Sequence, residues 1–346
     1  MFRTLQKIGS VFEAGPKVMR VAVIGAGLAG LACARRLRKG GADVVVFEKS
    51  RGLGGRLATR RRDAYAFDHG AQYLTARDER FGAALAELEA AGAAAKWAAA
   101  PEGREWWVGA PGMSGLVKPW AEGLTLHLSA RLHTLQPTGG GAGWRLQLEE
   151  GARGDAAEAA RAPFGAVVLA IPAPQAEEIL ARSGAPCAAF AERLAPVRLA
   201  PCWAAMAAFA EPLPLAAHTM KDAGAAVSWA ARNSHKPGRP HGADQWVLHA
   251  SPAWTRDHLD TPKEEVAPAL LAAFAAQTGI DPPKPVHIDA HRWLYAQVET
   301  PLGEPFLWDA AARLGLAGDW CVEPRAEAAF LSGEGLGRAV TASLTR

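Results

Sequence analysis

The sequence predicts an α/β fold in two domains: a parallel-sheet nucleotide-binding domain assembled from separate stretches, and an inserted α+β domain built on an antiparallel sheet. Three observations predict it. The glycines Gly25, Gly27 and Gly30 join an apolar run to a helical pattern. A second uninterrupted apolar run, Phe164 to Ile171, comes much later in the chain. From Val197 to Ala210 and from Ala225 to Ala231, alternation and aromatics suggest an antiparallel sheet.

Val21 to Ile24 reads as a buried parallel strand, and Leu28, Leu31, Ala32 and Leu37 carry a helix out of the turn. Gly25 permits the tight turn, Gly27 lets backbone approach a diphosphate, and Gly30 lets helix and strand pack closely. A diphosphate then sits at the helix N-terminus, beside Ala29, where unpaired N–H groups and the helix dipole favour negative charge. Asp43 to Glu48 is the second strand, and Glu48 stands at its end, where an acidic side chain grips ribose hydroxyls. Strand, glycines, helix, strand and terminal acid together form a dinucleotide cradle without distinguishing NAD from FAD.

The next residues do distinguish them. Ser50 to Arg56, with Lys49 before it, is glycine-rich and doubly basic, and its R-x-x-G-G-R pattern resembles the second fingerprint of flavin oxidoreductases built like amine oxidases. That resemblance implies a GR2-type Rossmann domain holding FAD, with Lys49 and Arg56 among its contacts. No cysteine matches a flavin-linkage context, so the FAD is expected to be non-covalent.

Composition bounds the alternatives. At 346 residues and 49% hydrophobic content the chain can bury two cores, and a net charge of +3 gives no nucleic-acid footprint. Cys33, Cys187, Cys202 and Cys321 are widely spaced, without a metal or redox pattern, and no secretory signal is seen; a reducing cytoplasm is expected. No uncharged run is long enough to cross a bilayer. Residues 1–18 are read as a disordered or artefactual leader, with Met19 as the natural start.

Further along, Ala66 to Arg77 resembles the D-x-G-A-Q-Y-x-T-A-R-D segment of bacterial renalases, flavoenzymes that oxidise misreduced isomers of NAD(P)H. Trp106 to Ser114, Ala231 to Arg239, Trp246 to Ser251 and His291 to Ala296 resemble the same family, in the same order. The resemblance implies that Ala71 and Gln72 contact the flavin, that Leu132 lies where a backbone amide recognises adenine, and that Asp319 and Ala326 serve the ribityl chain and ring. It also implies that Tyr73, Leu74, Thr75, Ala76, Arg77, Cys202, Arg292, Trp293 and Arg325 line a dinucleotide substrate. The chain departs from the family at His69 (methionine in relatives), at Cys202 (often threonine) and across Pro324 to Phe330.

The expected division is residues 19–78, 112–175 and 300–346 for the FAD domain and 79–111 and 176–299 for the substrate domain. Within these, residues 79–100 read as one helix, Leu124 to Leu135 as one strand, Gly139 to Gly141 as a hairpin loop, Leu316 to Cys321 as a short strand and Arg325 to Val340 as a helix. No Ser-His-Asp or paired-carboxylate arrangement stands out, and His287 and His291 share a strand face without the carboxylates or cysteines of a metal site. A dihydropyridine needs no base, because its ring nitrogen pushes out the hydride; Tyr73, Trp293, Tyr295 and nearby arginines suit such a donor. The expected activity is FAD-dependent oxidation of isomeric 2- or 6-dihydro-NAD(P) to NAD(P)+, with O2 reduced to hydrogen peroxide. Rival readings are an amine oxidase or desaturase on the same scaffold and a non-catalytic flavin- or NAD-binding protein.

Overall fold

A computed structural model describes residues 18–139, 143–152 and 154–344. The first strand, β1 (Arg20–Ile24), leads into helix α1 (Leu28–Lys39), then β2 (Asp43–Phe47) and the hairpin β3 (Thr59–Arg62) and β4 (Tyr65–Asp68). Helix α2 (Glu79–Ala90) precedes a second hairpin, β5 (Ala94–Lys96) and β6 (Trp107–Gly109), followed by α3 (Lys118–Ala121) and β7 (Thr125–His127). The hairpin β8 (Leu132–Pro137) and β9 (Trp144–Leu148), helix α4 (Gly154–Arg161) and β10 (Ala166–Leu169) follow. Helices α5 (Ala173–Arg182) and α6 (Ala185–Leu194) lead to β11 (Arg198–Phe209), β12 (Thr219–Lys221), β13 (Val227–Arg232) and β14 (Asp244–Ala250). The chain closes with α7 (Pro252–Asp257), α8 (Lys263–Thr278), β15 (His287–Thr300), β16 (Leu307–Asp309), β17 (Leu314–Leu316) and α9 (Ala326–Leu344).

The first sheet runs β7-β2-β1-β10-β17-β16, parallel except for edge strand β16. From β1 the chain moves outward to β2 and β7, then returns to β10 on the other side of β1. A crevice must open beyond the carboxyl ends of β1 and β10 where the order reverses, and ligands bind at such switch points. Both faces of β1 are covered: Val21 and Val23 join a core with α1 and α9, while Ala22 and Ile24 join the core under β8, β9 and α5. This accounts for its unbroken apolar run.

The second sheet is wholly antiparallel, in the order β12-β13-β14-β11-β15. Trp203, Ala205, Ala207 and Phe209 of β11 pack with Val266, Leu270 and Phe274 of α8. Alternation sends Cys202, Ala204 and Met206 to the opposite face.

Four local expectations change. The helix from Glu79 stops at Ala90, because Gly92 (φ +70°) turns the chain and Ala94–Lys96 pairs with Trp107–Gly109. The stretch Leu124 to Leu135 is two strands, broken at Ser129, whose φ is +53°. The strand before Asp319 ends at Leu316, and Asp319–Cys321 is a 3-10 turn. The last helix runs from Ala326 to Leu344 rather than from Arg325 to Val340. Gly140 and Gly141 of the expected hairpin loop, and residues 1–17 of the leader, lie outside the described residues. No described helix is long and apolar enough to cross a membrane.

Candidate active site

A cavity of about 1730 Å³ runs from the glycine turn to the second sheet. Pockets for single small ligands span roughly 300–1,000 Å³, so this one has room for more than one such ligand. Of the residues singled out from the sequence, Gly25, Gly27, Ala29, Glu48, Lys49, Arg56, Ala71, Gln72, Leu132, Asp319 and Ala326 line it, as do Tyr73, Cys202, Arg292, Trp293, Tyr295 and Arg325.

At the glycine end the backbone leaves no room for side chains. Gly25 sits at φ +104°, and a Cβ on Gly30 would lie 1.9 Å from the Gly25 carbonyl oxygen. Gly30 therefore serves the helix–strand contact and does not itself line the cavity. A Cβ on Gly27, by contrast, would meet nothing closer than the Gly54 oxygen at 4.0 Å, leaving open space beside α1. The N-terminus of α1 has no side-chain cap. The buried Glu48 carboxylate accepts N–H bonds from Ala26 and Ser50, both at 2.8 Å, which hold the turn and the following loop together. An uncapped helix end, a glycine cradle and a ribose-height carboxylate fit the diphosphate and ribose of FAD.

Asp319 lies at this cradle. Its carboxylate takes both terminal nitrogens of Arg56, at 2.8 and 2.5 Å, while Arg56 also donates to the Ala296 carbonyl at 3.1 Å. Three distant stretches of chain are thereby joined. Helix α9 reaches the same place because Gly333 lies on α1: a Cβ there would be 2.0 Å from the Ala29 oxygen.

The loop 73–77 is divided. Tyr73 lines the cavity and stacks on Trp106 with centroids 4.0 Å apart. Leu74 is buried and exchanges backbone hydrogen bonds with Trp107, so its side chain serves the core. The Thr75 hydroxyl accepts from Arg325 at 3.0 Å, and Ala76 and Arg77 are exposed. Leu74, Thr75, Ala76 and Arg77 do not line the cavity. Arg325 also pairs with Glu327 at 3.0 Å, and Glu327 accepts the backbone N–H groups of Arg77 and Asp78 at 2.6 and 2.7 Å. The loop is thus tied to the start of α9.

Register sets what the second sheet offers. Lys221, Trp229, His249, Ala204 and His291 are successive cross-strand partners and form one row across all five strands, with Cys202 opposite Trp293 one step along. Cross-strand partners share a face, and all of these except the small Ala204 line the cavity. His69 lies over this face, its ring 5.3 Å from Trp293 and 4.9 Å from His291. Its carbonyl accepts the Trp293 indole N–H at 2.9 Å. Burial, then His291 and Arg60, push the His69 pKa down to about 3. Burial and Arg60 take His291 to about 4, and burial and Lys236 take His249 to about 4. These rings are neutral at neutral pH. Burial raises the Cys202 thiol to about 12, so it is no nucleophile.

Sequence reasoning assigned no role to Asp68, Lys236 and Arg239, which form a fully buried ion cluster behind Gln72. It likewise missed Trp229 and His249 on the cavity wall. Only the sheet register, which no local motif carries, could have revealed those two.

Comparison with known proteins agrees with this architecture. Residues 23–88 match the NAD(P)-binding Rossmann-like domain, and residues 79–334 match flavin containing amine oxidoreductases. The chain belongs to the flavin-containing amine oxidoreductase family, and FAD is its cofactor.

Among solved structures it is similar to a candidate protoporphyrinogen oxidase from Exiguobacterium sp. 255-15 (TM-score 0.74, 12% identity, 95% of this chain and 100% of that one). It is also similar to cyclohexylamine oxidase from Brevibacterium oxydans IH-35A (TM-score 0.68, 13% identity, 95% and 100%) and to putrescine oxidase bound to putrescine (TM-score 0.67, 15% identity, 94% and 99%). At such identities the likeness is one of fold. A 52-residue stretch is 46% identical to 4,4'-diapophytoene desaturase of Staphylococcus aureus strain Newman, covering 15% of this chain and only 10% of the desaturase.

Proposed function

We propose that this FAD-dependent oxidoreductase takes isomeric 2- or 6-dihydronicotinamide dinucleotides and returns them to the aromatic nicotinamide form, with dioxygen as the terminal acceptor and hydrogen peroxide as the product. Bound FAD supplies the two-electron acceptor. The observation that carries the reading is the charge of the cavity wall. The second sheet, α8 and the hairpin β3–β4 contribute Arg60, Arg61, Arg62, Lys221 and Lys263, and no carboxylate from those segments lines the cavity; the Arg292 side chain, expected from the sequence to meet substrate, instead shares the face of its cross-strand partner Trp203 and pairs with Asp260 at 3.2 Å.

Such a wall suits a dinucleotide's diphosphate and opposes an alkylammonium substrate. Asp289, on the same sheet face as His291 but outside the cavity lining, holds Arg60 at 2.8 Å and Lys263 at 3.1 Å, which fixes and partly balances these two cations. Tyr73, Trp229 and Trp293 offer flat faces to a flat ring. Neutral His69, His249 and His291 leave no cationic imidazole beside the substrate and no group of ordinary histidine basicity. That suits a substrate whose own ring nitrogen drives the reaction.

Putrescine and cyclohexylamine are substrates in the names of two structural relatives, and they serve as controls here. Rapid mixing of the yellow, FAD-loaded protein with isomeric dihydro-NAD is expected to bleach the visible band in a fast phase, with peroxide accumulating in air. Bleaching by putrescine or cyclohexylamine but not by either dihydronucleotide would overturn the assignment. A flavin band that no candidate bleaches would leave a binding protein in its place.

A further inference from the structure

We propose that Asp68, Lys236 and Arg239 form a buried, unbalanced positive charge that Gln72 connects to the cavity wall, and that this charge raises the reduction potential of the bound FAD. Asp68 closes β4, while Lys236 and Arg239 lie in the loop between β13 and β14; all three side chains are fully buried. The Lys236 Nζ lies 3.3 Å from Asp68 Oδ2, and Arg239 meets the same oxygen through Nε at 3.1 Å and through Nη2. The other oxygen, Oδ1, accepts from the Thr59 hydroxyl at 2.8 Å and the Met113 N–H at 2.9 Å.

One carboxylate thus answers two cations. The further partners of the cations are neutral: the carbonyls of Gly109 and Pro237, the Gln72 side-chain oxygen and the face of Trp97. Among the described residues no second carboxylate forms a salt bridge with either cation. Burial alone would raise the Asp68 pKa, but the two cations and its hydrogen bonds hold it at about 2, so it stays ionised.

The charge reaches the cavity by one hydrogen bond. Lys236 can only donate, so the Gln72 oxygen must face it, at 3.0 Å. The Gln72 NH2 group is left to the carbonyls of Gly70, at 3.0 Å, and Asp68. Gln72 lines the cavity between Ala71 and Tyr73. An excess charge held away from water is costly unless an anion meets it. Reduced FAD carries negative charge that the oxidised form lacks, so the cluster favours the reduced form. The inference rests on FAD occupying this cavity and holds whichever reductant the enzyme takes.

The test is the FAD midpoint potential of the holoprotein, measured by equilibrium reduction against a dye of known potential and so independent of turnover. Lys236→Met and Arg239→Met each remove one positive charge. Each is expected to weaken the preference for reduced FAD about tenfold, a fall of about 30 mV for a two-electron couple. Asp68→Asn removes the negative member but also the carboxylate that holds the Lys236 pKa up at about 8 against burial, so Lys236 gives up its proton, the net charge stays the same and the potential is expected to stay near the parent's. A purely structural knot would lower melting temperature and FAD retention in all three variants without this split between Asp68→Asn and the two cation variants. Potentials unchanged within twofold in both cation variants, a downward shift in Asp68→Asn, or failure of both cation variants to fold with FAD would each overturn the proposal.

Discussion

Acidification should destabilise this protein well above the pH at which its carboxylates protonate, and His69 should be a principal cause. Its ring is 5% exposed, stacked on Trp293 and edge-on to His291. Burial, then His291 and Arg60, depress its pKa to about 3, against an ordinary value of about 6.5 when the chain is unfolded. Between those values the unfolded chain binds a proton that the folded one refuses, so stability falls as pH drops below about 6.5. At a pH of about 5 the gap is roughly 1.5 units, or about 2 kcal/mol at about 1.4 kcal/mol per unit. His249 and His291, depressed to about 4, add to the same window. Asp68, held at about 2, loses its contribution only below a pH of about 4. His69→Phe keeps a flat ring for the stack and removes the titration. Urea unfolding of the FAD-loaded protein, followed by tryptophan fluorescence at about pH 8, 6.5 and 5, should give the variant an advantage of about 2 kcal/mol at pH 5 that is absent at pH 8. Parallel pH dependences for variant and parent would refute this account of the buried ring.

Gly30→Ala places a Cβ 1.9 Å from the Gly25 carbonyl, so α1 must move off β1; a loss of about 3 kcal/mol in urea and a colourless protein after gel filtration are expected. Arg56→Ala leaves the buried Asp319 carboxylate without its forked partner and releases Ala296. Because Arg56 is itself partly exposed, a loss of about 2 kcal/mol is expected, read from the urea midpoint together with retention of the visible flavin band. If the cationic wall grips a diphosphate, raising salt from about 0.05 to 0.5 M should increase the dihydronucleotide KM several-fold with little change in kcat, because exposed charges are screened. Lys221→Ala, on the cavity-face row with Trp229 and His249, should raise the same KM at low salt and flatten its salt dependence.

The cradle was legible because each of its parts is local. Gly25, Gly27, Gly30 and Glu48 act within one strand–turn–helix–strand unit, and the constraints that select them come from their own backbone. The helix end at Ala90 was not legible, because an alanine-rich run keeps helical propensity past Gly92 and only pairing with Trp107–Gly109 settles the strand. For the same reason nothing in Leu124 to Leu135 marks Ser129 as the break. Asp68 opens a family-like segment in the sequence, but nothing local shows what its carboxylate binds. Its partners Lys236 and Arg239 are 168 and 171 positions away, so the cluster exists only after the two sheets meet. Arg77 erred the other way: its motif is present, but the Arg77 and Asp78 backbone is drawn to Glu327 and the Arg77 side chain stays exposed.

The placement of the site follows from two close contacts far apart in sequence. Gly333 and Gly337 let α9 lie against α1, with hypothetical Cβ atoms 2.0 Å from the Ala29 oxygen and 3.0 Å from the Cys33 oxygen. Side chains there would hold the helices apart and draw Arg325 and Ala326 away from the glycine turn. Gly70 makes the second contact: its Cβ would fall 2.0 Å from the Arg56 oxygen, and the Ala71 N–H donates to that same oxygen at 2.8 Å. Arg56 therefore holds Asp319 with its side chain while its carbonyl fixes the loop that carries His69, Gln72 and Tyr73. A single residue links the cofactor cradle, the chain's last turn before α9 and the cavity wall, so geometry at one end of the cavity is transmitted to the other through covalent and hydrogen bonds rather than through a flexible hinge.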